Sequence, residues 1–394
     1  MKPTFLEGGG PKQRTRPPWH RPFSLQKGRP PPSFDSRLAT LAVLAMVCSI
    51  PLGTTASEIC FGAGTVLAAW LLIKNKEIQN NALAGPWGLI ACGWLVMSLT
   101  QGVWPTLSLG RIWATSPIII LPVLLRYSQP ISWSLYAGFA TIPTLLVTLL
   151  QFSGILVSPT EAPSGLFSHH LTMVYALFPI ACVLWGMRYR LHATIIGMSL
   201  CLTGALGFLI ALLSAFFYLN LTQARSTGRK LIVCGLGMIA GLVPLALLEP
   251  ASLYQRAVLW TAGLRIVSRG GIPAEQWRET VDPVHHIIDP GFFFPHHSHD
   301  SAIQLLAETG PISWVAIGWA LYLCFQVRVP WFKAMVFGLC VASFTQDLIG
   351  DLEVARSITT WLAIGFFYRS AFEKQSGTVY SGTCQEGSST ENLT

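Results

Sequence analysis

Long apolar runs alternate with short polar segments along most of this chain. A helix that crosses the hydrocarbon core of a membrane needs about 20 mostly apolar residues, so each run of that order predicts one membrane-spanning helix. Ten runs qualify as single spans: 38–53, 59–73, 83–100, 112–125, 131–152, 171–187, 231–248, 312–327, 334–349 and 358–372. The pattern therefore predicts an all-α protein that crosses the membrane repeatedly.

The apolar stretch 193–219 is too long for one upright span and too short for two full ones. As one span it would leave the basic segment QARSTGRK outside, against the tendency of Lys and Arg to stay in the cytoplasm. As a pair of short helices that turns near Gly204 and Gly207, it keeps that segment inside, and the charges of every later loop then also follow this tendency. We expect the pair, which brings the total to about twelve transmembrane helices.

Composition and charge agree with this layout. Of the 394 residues, 52% are hydrophobic and only 11% are charged, and the mean hydropathy is +0.50. These values indicate a polytopic membrane protein and exclude an ordinary soluble domain.

The segment 1–37 carries eight Lys or Arg residues against Glu7 and Asp35. Basic residues beside a first span hold it on the cytoplasmic side, which we prefer to nucleic-acid binding.

Three regions are expected along the chain. The proline-rich segment 1–37 has too few aliphatic residues to fold alone, and the polar segment 373–394 is also expected to be disordered. Both termini then lie in the cytoplasm. The transmembrane domain covers 38–372 and includes one large extracytoplasmic loop, 251–310, with short helices. The aromatic residues of this loop suffice to pack on the membrane surface but not to form an independent core.

The loop begins with LYQRAVLWTAGLRI, whose pattern predicts a helix. Arg256 and Trp260 are spaced i and i+4, so they share one face, and Arg265 follows roughly two and a half turns after Arg256. An arginine at the membrane surface can bind a diphosphate bidentately and neutralise a leaving phosphate. The plainer alternative is that Arg256 only anchors lipid head groups.

The loop ends with HHSHDSAIQLLAETGPIS, in which three histidines and Asp300 fall within five residues. Ionisable groups at the edge of a hydrophobic segment usually have a function. A histidine titrates near neutral pH and can accept a proton from an attacking hydroxyl. Together with the arginine, it suits transfer from a phosphate-activated donor.

A metal site is the alternative for these histidines. The loop offers enough ligand types for zinc: His285, His286, His296, His297, His299, Asp282, Asp289 and Asp300. However, HHSH is not the helical His-x-x-x-His pair that a defined site uses, and most histidine-rich loops could assemble some ligand set. We therefore predict no metal and no cofactor.

The segment HSHDSAIQLLAETGPIS resembles the signature of the O-antigen ligase and polymerase superfamily. That signature consists of His, then Asn, Ser or Gln, then nine residues of any type, Gly, two further residues, and a small residue or Tyr. In this chain the four defined positions fall on His299, Asp300, Gly310 and Ser313. QRAVLW resembles the Arg-x-x-x-Trp element that opens the family's periplasmic loop, and GLFSHHLTMVYAL is similar to the segment before a middle span. The resemblance covers roughly 165–310 and the twelve-span layout.

The resemblance implies a glycosyltransferase of the bacterial inner membrane that needs neither a nucleotide sugar nor a metal. It would take a glycan from undecaprenyl diphosphate on the periplasmic side and join it to an acceptor hydroxyl, on lipid A-core or a similar glycan. Its other partners would be membrane lipids, with no nucleic acid. By position, His299 would activate the hydroxyl and Arg256 would hold the diphosphate. Further candidates for substrate binding are His297, Arg265, Trp260, Asp300 and Arg111.

Two departures from the family pattern are visible. Family members usually have a Ser-Arg pair at the turn of the middle short helices, where this chain has Ala205 and Leu206. One diphosphate contact is then missing or supplied by Arg111 or Arg265. Asp300 replaces an amide, and its negative charge beside His299 would favour the protonated imidazole.

Three other functions stay open. A polymerase would use a second carrier-linked repeat as acceptor, a transporter of lipid-linked glycans would move its cargo without chemistry, and a degenerate family member would bind lipid without catalysis. His169 and His170 either line the acceptor cleft or have only an ordinary role in the loop. Asp347, Asp351 and Glu353 are expected to be solvated at the outer end of a span.

Overall fold

The structure is a computed structural model, and it describes residues 33–74, 110, 113–129, 133–160, 162–222, 250–268, 300–301, 303–304, 306, 312–327, 329–344, 346, 348 and 351–382. Within these ranges all regular structure is helical, which confirms the all-α prediction. The described α-helices are α1 (Phe34–Ser49), α2 (Thr54–Lys74), α3 (Pro117–Tyr127), α4 (Trp133–Phe152), α5 (His170–Gly186), α6 (Arg190–Cys201), α7 (Leu206–Thr222), α8 (Pro250–Ser268), α9 (Ile312–Gln326), α10 (Pro330–Ser343) and α11 (Leu352–Gly382).

Three helical segments are long and apolar enough to cross a membrane: α1 extended through its following 3₁₀ turn, α2 and α4. Four further described helices are apolar but shorter, Trp113–Tyr127, His170–Gly186, Leu206–Leu219 and Pro330–Ser343. The predicted spans 83–100 and 231–248 lie outside the described residues, as does most of the predicted loop 251–310. Twelve crossings and the large loop therefore stay predictions.

The region 193–219 consists of two helices, as the charge argument predicts. α6 ends at Cys201 and α7 begins at Leu206, and a tight turn joins them. Gly204 lies in that turn with φ +70°, a left-handed conformation that a glycine adopts without a Cβ clash. The Gly207 that the sequence also suggested for the turn already belongs to α7.

α5 lies at the centre of the described bundle. It packs against α6, α10 and α11, and its residues 172–184 are all buried. A helix that is apolar on every side is expected to be surrounded by other helices, and α5 fits that rule. α11 also packs against α3, which in turn contacts α1 and α2. α11 thus joins the α1–α3 group to α5, and its N-terminal end meets the starts of α2 and α5.

The last helix is longer than the apolar pattern predicts. α11 begins six residues before the predicted span 358–372 and runs to Gly382, so the first ten residues of the segment 373–394 are helical. No proline interrupts this sequence to stop the helix. The extra turns at its start place Glu353 and Arg356 beside the first turns of α2.

Candidate functional site

α8 places two of the predicted site residues side by side. Arg256 and Trp260 lie one turn apart on the helix, both half-buried, beside Leu259, which is only 1% exposed. The predicted helix and the shared face are confirmed. Each side chain also ends in a buried nitrogen without a hydrogen-bond partner, Nη1 of Arg256 and Nε1 of Trp260. Buried donors are nearly always paired in proteins, so two neighbouring unpaired donors are the arrangement that an oxygen-rich ligand would complete.

Arg265 lies on the other side of the same helix. Nine residues at about 100° each amount to two and a half turns, which turns its side chain away from Arg256. Its side chain is accordingly exposed, whereas Arg256 is half-buried. The structure therefore brings Trp260 to Arg256 but does not bring Arg265 to this pair.

Asp300 begins a helical segment and anchors the end of the histidine cluster. It is 2% exposed, and its Oδ1 accepts a hydrogen bond from the backbone N–H of Ile303 at 2.8 Å, as an N-cap residue does. The next residue, Ser301, donates from its hydroxyl to the carbonyl of Gln346 at 3.1 Å and accepts from the N–H of Leu348 at 2.7 Å. The chain that follows the histidines is thereby fixed to the segment that leads into α11.

The remaining predicted site residues, His299, His297 and Arg111, lie outside the described residues. The loop histidines considered as metal ligands do too. Among the residues that the structure does describe, no group of three or more His, Cys, Asp or Glu side chains is placed to hold a metal ion.

A second polar site, which the sequence analysis missed, lies where α2 and α11 begin. Arg356 is 2% exposed, and its Nη1 donates to the hydroxyl of Ser57 at 2.9 Å. Its Nη2 lies 3.6 Å from a carboxylate oxygen of Glu58, which is itself half-exposed. The guanidinium carbon lies 5.7 Å from the ring centre of Phe61, within the range of a cation–π contact. A buried guanidinium is thus held entirely by α2.

The carboxylates of Asp351 and Glu353 at the start of α11 are half-buried and hydrogen-bonded within the protein, which corrects the expectation that they are fully solvated; Asp347 lies outside the described residues. Asp351 accepts a hydrogen bond from the hydroxyl of Thr172 at 2.6 Å and caps α11 through the N–H groups of Glu353 and Val354 at 3.1 and 3.2 Å. Glu353 accepts from the hydroxyl of Thr54. Both residues are half-buried because α2 and α5 begin beside them.

The environment of Glu353 changes its acidity. This residue precedes the predicted span 358–372, and burial raises its pKa above the ordinary value of 4.5. The hydrogen bond from Thr54 acts in the opposite direction but does not outweigh the burial. A carboxyl group with a raised pKa beside a buried arginine is an arrangement often found at functional sites.

A small cleft with only about 10 Å³ of free space lies between these groups, lined by Ile50, Gly53, Ser57, Phe167, Glu353, Arg356 and Ser357. Two polar atoms of the lining residues, Nε of Arg356 and Oε2 of Glu353, are buried without a hydrogen-bond partner. Gly53 has φ +88°, and a Cβ there would collide with the carbonyl oxygen of Leu166. Only a glycine lets the chain between α1 and α2 approach the 165–167 turn this closely.

His169 and His170 have local roles. His169 is the N-cap of α5, and its Nδ1 accepts from the N–H of Leu171 at 3.1 Å. The two imidazoles stack with ring centres 4.3 Å apart. Burial, and then the neighbouring His169, lower the pKa of His170, which favours its neutral form. The cap supports the structural interpretation of this pair.

Arg356 had one signal in the sequence. It stands two residues before the predicted span 358–372, and an arginine at the edge of an apolar helix needs a partner or an aqueous cavity. Its partners Ser57 and Glu58 are almost 300 residues away in the chain. No pattern within one segment could therefore have identified them.

No protein-family model matches this chain, and a search of the curated proteins finds no match either. The resemblance to the O-antigen ligase and polymerase superfamily thus depends on the short motifs around Arg256 and His299, on the segment GLFSHHLTMVYAL and on the predicted twelve-span layout.

Proposed function

We propose that this chain is a membrane glycosyltransferase that moves a glycan from undecaprenyl diphosphate to a hydroxyl of lipid A-core or a similar acceptor. The observation that carries the proposal is the pair on α8, where Arg256 and Trp260 each bury an unpaired donor on one side of the helix. The motif resemblance adds the reaction class.

The α8 pair suits a diphosphate better than a neutral group. A guanidinium forms strong charge-assisted hydrogen bonds with phosphate oxygens, and an indole N–H adds one more donor. Leaving a buried donor unpaired costs about 1–3 kcal/mol, which a bound phosphate oxygen would recover. The same contacts would strengthen as negative charge develops on the leaving diphosphate, which is how a site accelerates the reaction.

His299 is the proposed base. In the proposed reaction it accepts the proton of the acceptor hydroxyl, the oxygen bonds to the anomeric carbon, and the bond from that carbon to the phosphate oxygen breaks. The electron pair leaves with the diphosphate, whose charge Arg256 neutralises. Asp300, the residue that follows His299 in the chain, caps a helical segment, and Ser301 fixes this segment to the chain before α11.

The buried charges favour an enzyme over a transporter. Transporters usually keep their functional polar groups near the middle of the membrane, on broken helices. In the described part of this chain, the buried Arg356 and the nearby Glu353 lie in the first two turns of α11, beside the first turns of α2. A polymerase would use the same chemistry and differ only in its acceptor.

A transfer assay tests the proposal. The full chain, reconstituted in liposomes with a carrier-linked glycan and an acceptor, is compared with His299→Ala and Arg256→Ala variants. We expect each substitution to lower the transfer rate about 100-fold or more. Arg265→Ala, on the opposite side of α8, is the matched control for loss of positive charge and should keep more activity.

Two results would refute parts of the proposal. Transfer at the parental rate by the His299→Ala protein would remove the base assignment. Equal losses from Arg256→Ala and Arg265→Ala would show that charge alone, and not the α8 pair, matters. Transfer that persists undiminished in a chelator would discard the zinc alternative.

A further inference from the structure

The loop after α4 presents a run of large apolar side chains on its surface. Ile155 and Val157 are 73% and 92% exposed, and Leu156 between them is exposed as well. We propose that this segment, 155–157, inserts into the lipid head-group layer and anchors the end of α4 at the membrane surface. We call it the apolar tip. Its contact with lipid is independent of the proposed glycan transfer.

The two sides of α4 indicate what surrounds this part of the molecule. The exposed residues of the helix between 135 and 149 are all large and apolar: Leu135, Phe139, Ile142, Leu146 and Leu149. The buried side is more polar, because it carries Tyr136, Thr141, Thr144 and Thr148. A helix at the surface of a soluble protein has the reverse arrangement, with its polar residues outward. The exposed side of α4 therefore faces lipid.

The length of α4 sets the depth of the apolar tip. The helix has 20 residues and is therefore about 30 Å long, which equals the thickness of the hydrocarbon core. A helix of this length that stands across the membrane ends where the head groups begin. The tip follows almost directly on the last helical residue, Phe152. At that depth, apolar side chains can reach about 5–10 Å into the boundary between head groups and acyl chains.

The end of α4 holds the backbone of the tip through a Schellman cap. Gly154 has φ +74°, and its N–H donates to the carbonyl of Gln151 at 3.0 Å. The N–H groups of Ile155 and Leu156 both donate to the carbonyl of Leu150, at 2.9 and 3.0 Å. The start of the tip is thus fixed by hydrogen bonds to the helix, and its side chains are exposed in spite of that.

Gln151 closes the base of the same loop. Its Nε2 donates to the carbonyl of Gly165 at 2.9 Å, and its Oε1 accepts from the N–H groups of Ser164 and Gly165 at 2.9 and 2.8 Å. Beyond the tip, the hydroxyl of Ser158 donates to the carbonyl of Ala162 at 2.7 Å. The polar groups of the loop are therefore bonded to one another, and the apolar tip is the part left facing outward.

Lipid suits this tip better than water does. Single exposed apolar residues are common on protein surfaces, whereas three adjacent ones on a fixed backbone form a patch of the kind that contacts a membrane or a partner. The tip continues directly from a helix whose exposed side faces lipid, which favours the membrane over a protein partner. In the sequence, no charged residue between Arg126 and Glu161 would oppose insertion.

Insertion of the tip has a consequence for the rest of the fold. Through Gln151 the loop is joined to the 165–167 turn, which packs closely on Gly53 between α1 and α2. The tip therefore sets the level of this end of the bundle relative to the membrane surface.

The position of the tip can be measured with introduced cysteines. The full chain is reconstituted in nanodiscs of phosphatidylethanolamine and phosphatidylglycerol, which leave both membrane faces open. Val157→Cys is compared with Pro159→Cys, a matched control at an exposed position in the polar part of the same loop. Leu146→Cys, on the exposed side of α4, gives the value for a thiol in lipid. Peptide mass spectrometry separates each introduced cysteine from the nine native ones.

Each variant is treated with a charged, water-soluble maleimide and with an uncharged maleimide that dissolves in the membrane. The ratio of the two rates is compared, because the thiolate fraction affects both rates alike and cancels. We expect this ratio for Val157→Cys to be at least about tenfold lower than for Pro159→Cys, since a charged reagent is excluded from the lipid boundary. Leu146→Cys should give the lowest ratio.

Three outcomes would overturn the inference. Equal ratios for Val157→Cys and Pro159→Cys would place the tip in water. Slow reaction of Val157→Cys with both reagents would mean that protein covers the tip. A high ratio for Leu146→Cys would show that the exposed side of α4 does not face lipid at all. Val157 is almost fully exposed, so its replacement removes little packing, and Ile155→Cys provides a second reading at the same tip.

Discussion

The two polar sites of this protein differ in how their charges are balanced. On α8, Arg256 and Trp260 come from one helix, and their buried nitrogens lack partners. At the start of α11, Arg356 is 2% exposed and bonded to Ser57 on α2, with carboxylates beside it. The first site has buried donors that no described side chain satisfies, whereas the second is already almost neutral. The difference teaches that a buried arginine indicates an anion site only when the protein itself does not supply the anion.

The sharpest test of this contrast is to remove each arginine in turn. Arg356→Ala should lower the free energy of unfolding by about 3 kcal/mol, since it leaves Glu353 half-buried without its cation and empties a packed site. Arg256→Ala should lower it by less than about 1 kcal/mol, because it relieves an unpaired buried donor while losing some packing. Unfolding of both purified proteins in detergent micelles measures the difference.

The contrast would fail if the two variants lost equal stability. Arg265→Ala, which removes an exposed arginine from α8, gives the baseline for loss of positive charge. A large loss in Arg256→Ala above this baseline would mean that its buried nitrogen has a structural partner.

Two glycines with positive φ test how tightly the chain packs at the cleft and at the turn between α6 and α7. Gly53→Ala should cost about 3 kcal/mol, because φ +88° is strained for alanine and the new Cβ would collide with the carbonyl oxygen of Leu166. Gly204→Ala has φ +70° but open space around the new Cβ, so it should cost only about 1 kcal/mol. The same unfolding measurement compares them, and equal losses would show that the 165–167 turn moves freely away from α2.

The sequence predicted the all-helical class and two local features of the architecture, since periodicity and charge are local signals. The break between α6 and α7 followed from Arg225, Arg229 and Lys230, and the structure places it at Gly204. The helix that carries Arg256 and Trp260 on one face followed from their spacing alone. Both features depend on residues within one stretch of chain.

The second site could not be predicted in the same way. The bond from Arg356 to Ser57 and the bond from Thr172 to Asp351 join segments that are far apart in the chain, and only the packing of α11 against its neighbours creates them. From the sequence, a polar residue just before an apolar run is predicted to be solvated when no partner lies nearby in the same stretch of chain. The packing of α2 and α5 against this end of α11 replaces water with hydroxyl groups.

Asp300 tests whether the anchor of the histidine segment is structural. Asp300→Ala removes a buried helix cap and should cost about 1–2 kcal/mol, whereas Asp300→Asn keeps the acceptor oxygen and should cost less than about 0.5 kcal/mol. Unfolding measurements give both values, and the transfer assay adds a second comparison. If Asp300→Asn were as unstable as Asp300→Ala, the negative charge and not the cap would be the stabilising element.

The smallest expected effect concerns pH and Glu353. Because burial raises its pKa above 4.5, the folded protein keeps this proton to higher pH than the unfolded chain does. Any stability that depends on the neutral carboxyl is complete at low pH and is lost as the pH rises through the raised pKa. Glu353→Gln keeps the shape but does not ionise. It should therefore match the parent at about pH 4 and be slightly more stable at about pH 8.

Unfolding of both proteins across this pH range measures that difference. Arg256→Gln is the control at the other site, because it removes no group that titrates there and its stability difference from the parent should stay constant. A Glu353→Gln protein that became less stable than the parent with rising pH would reverse the sign. Pairing with Arg356 would then outweigh burial, and the carboxylate would be a fixed counter-ion with its oxygens committed to the arginine. The second site would in that case be neutralised entirely by its own residues, so this weak effect bears directly on whether the two sites differ in kind.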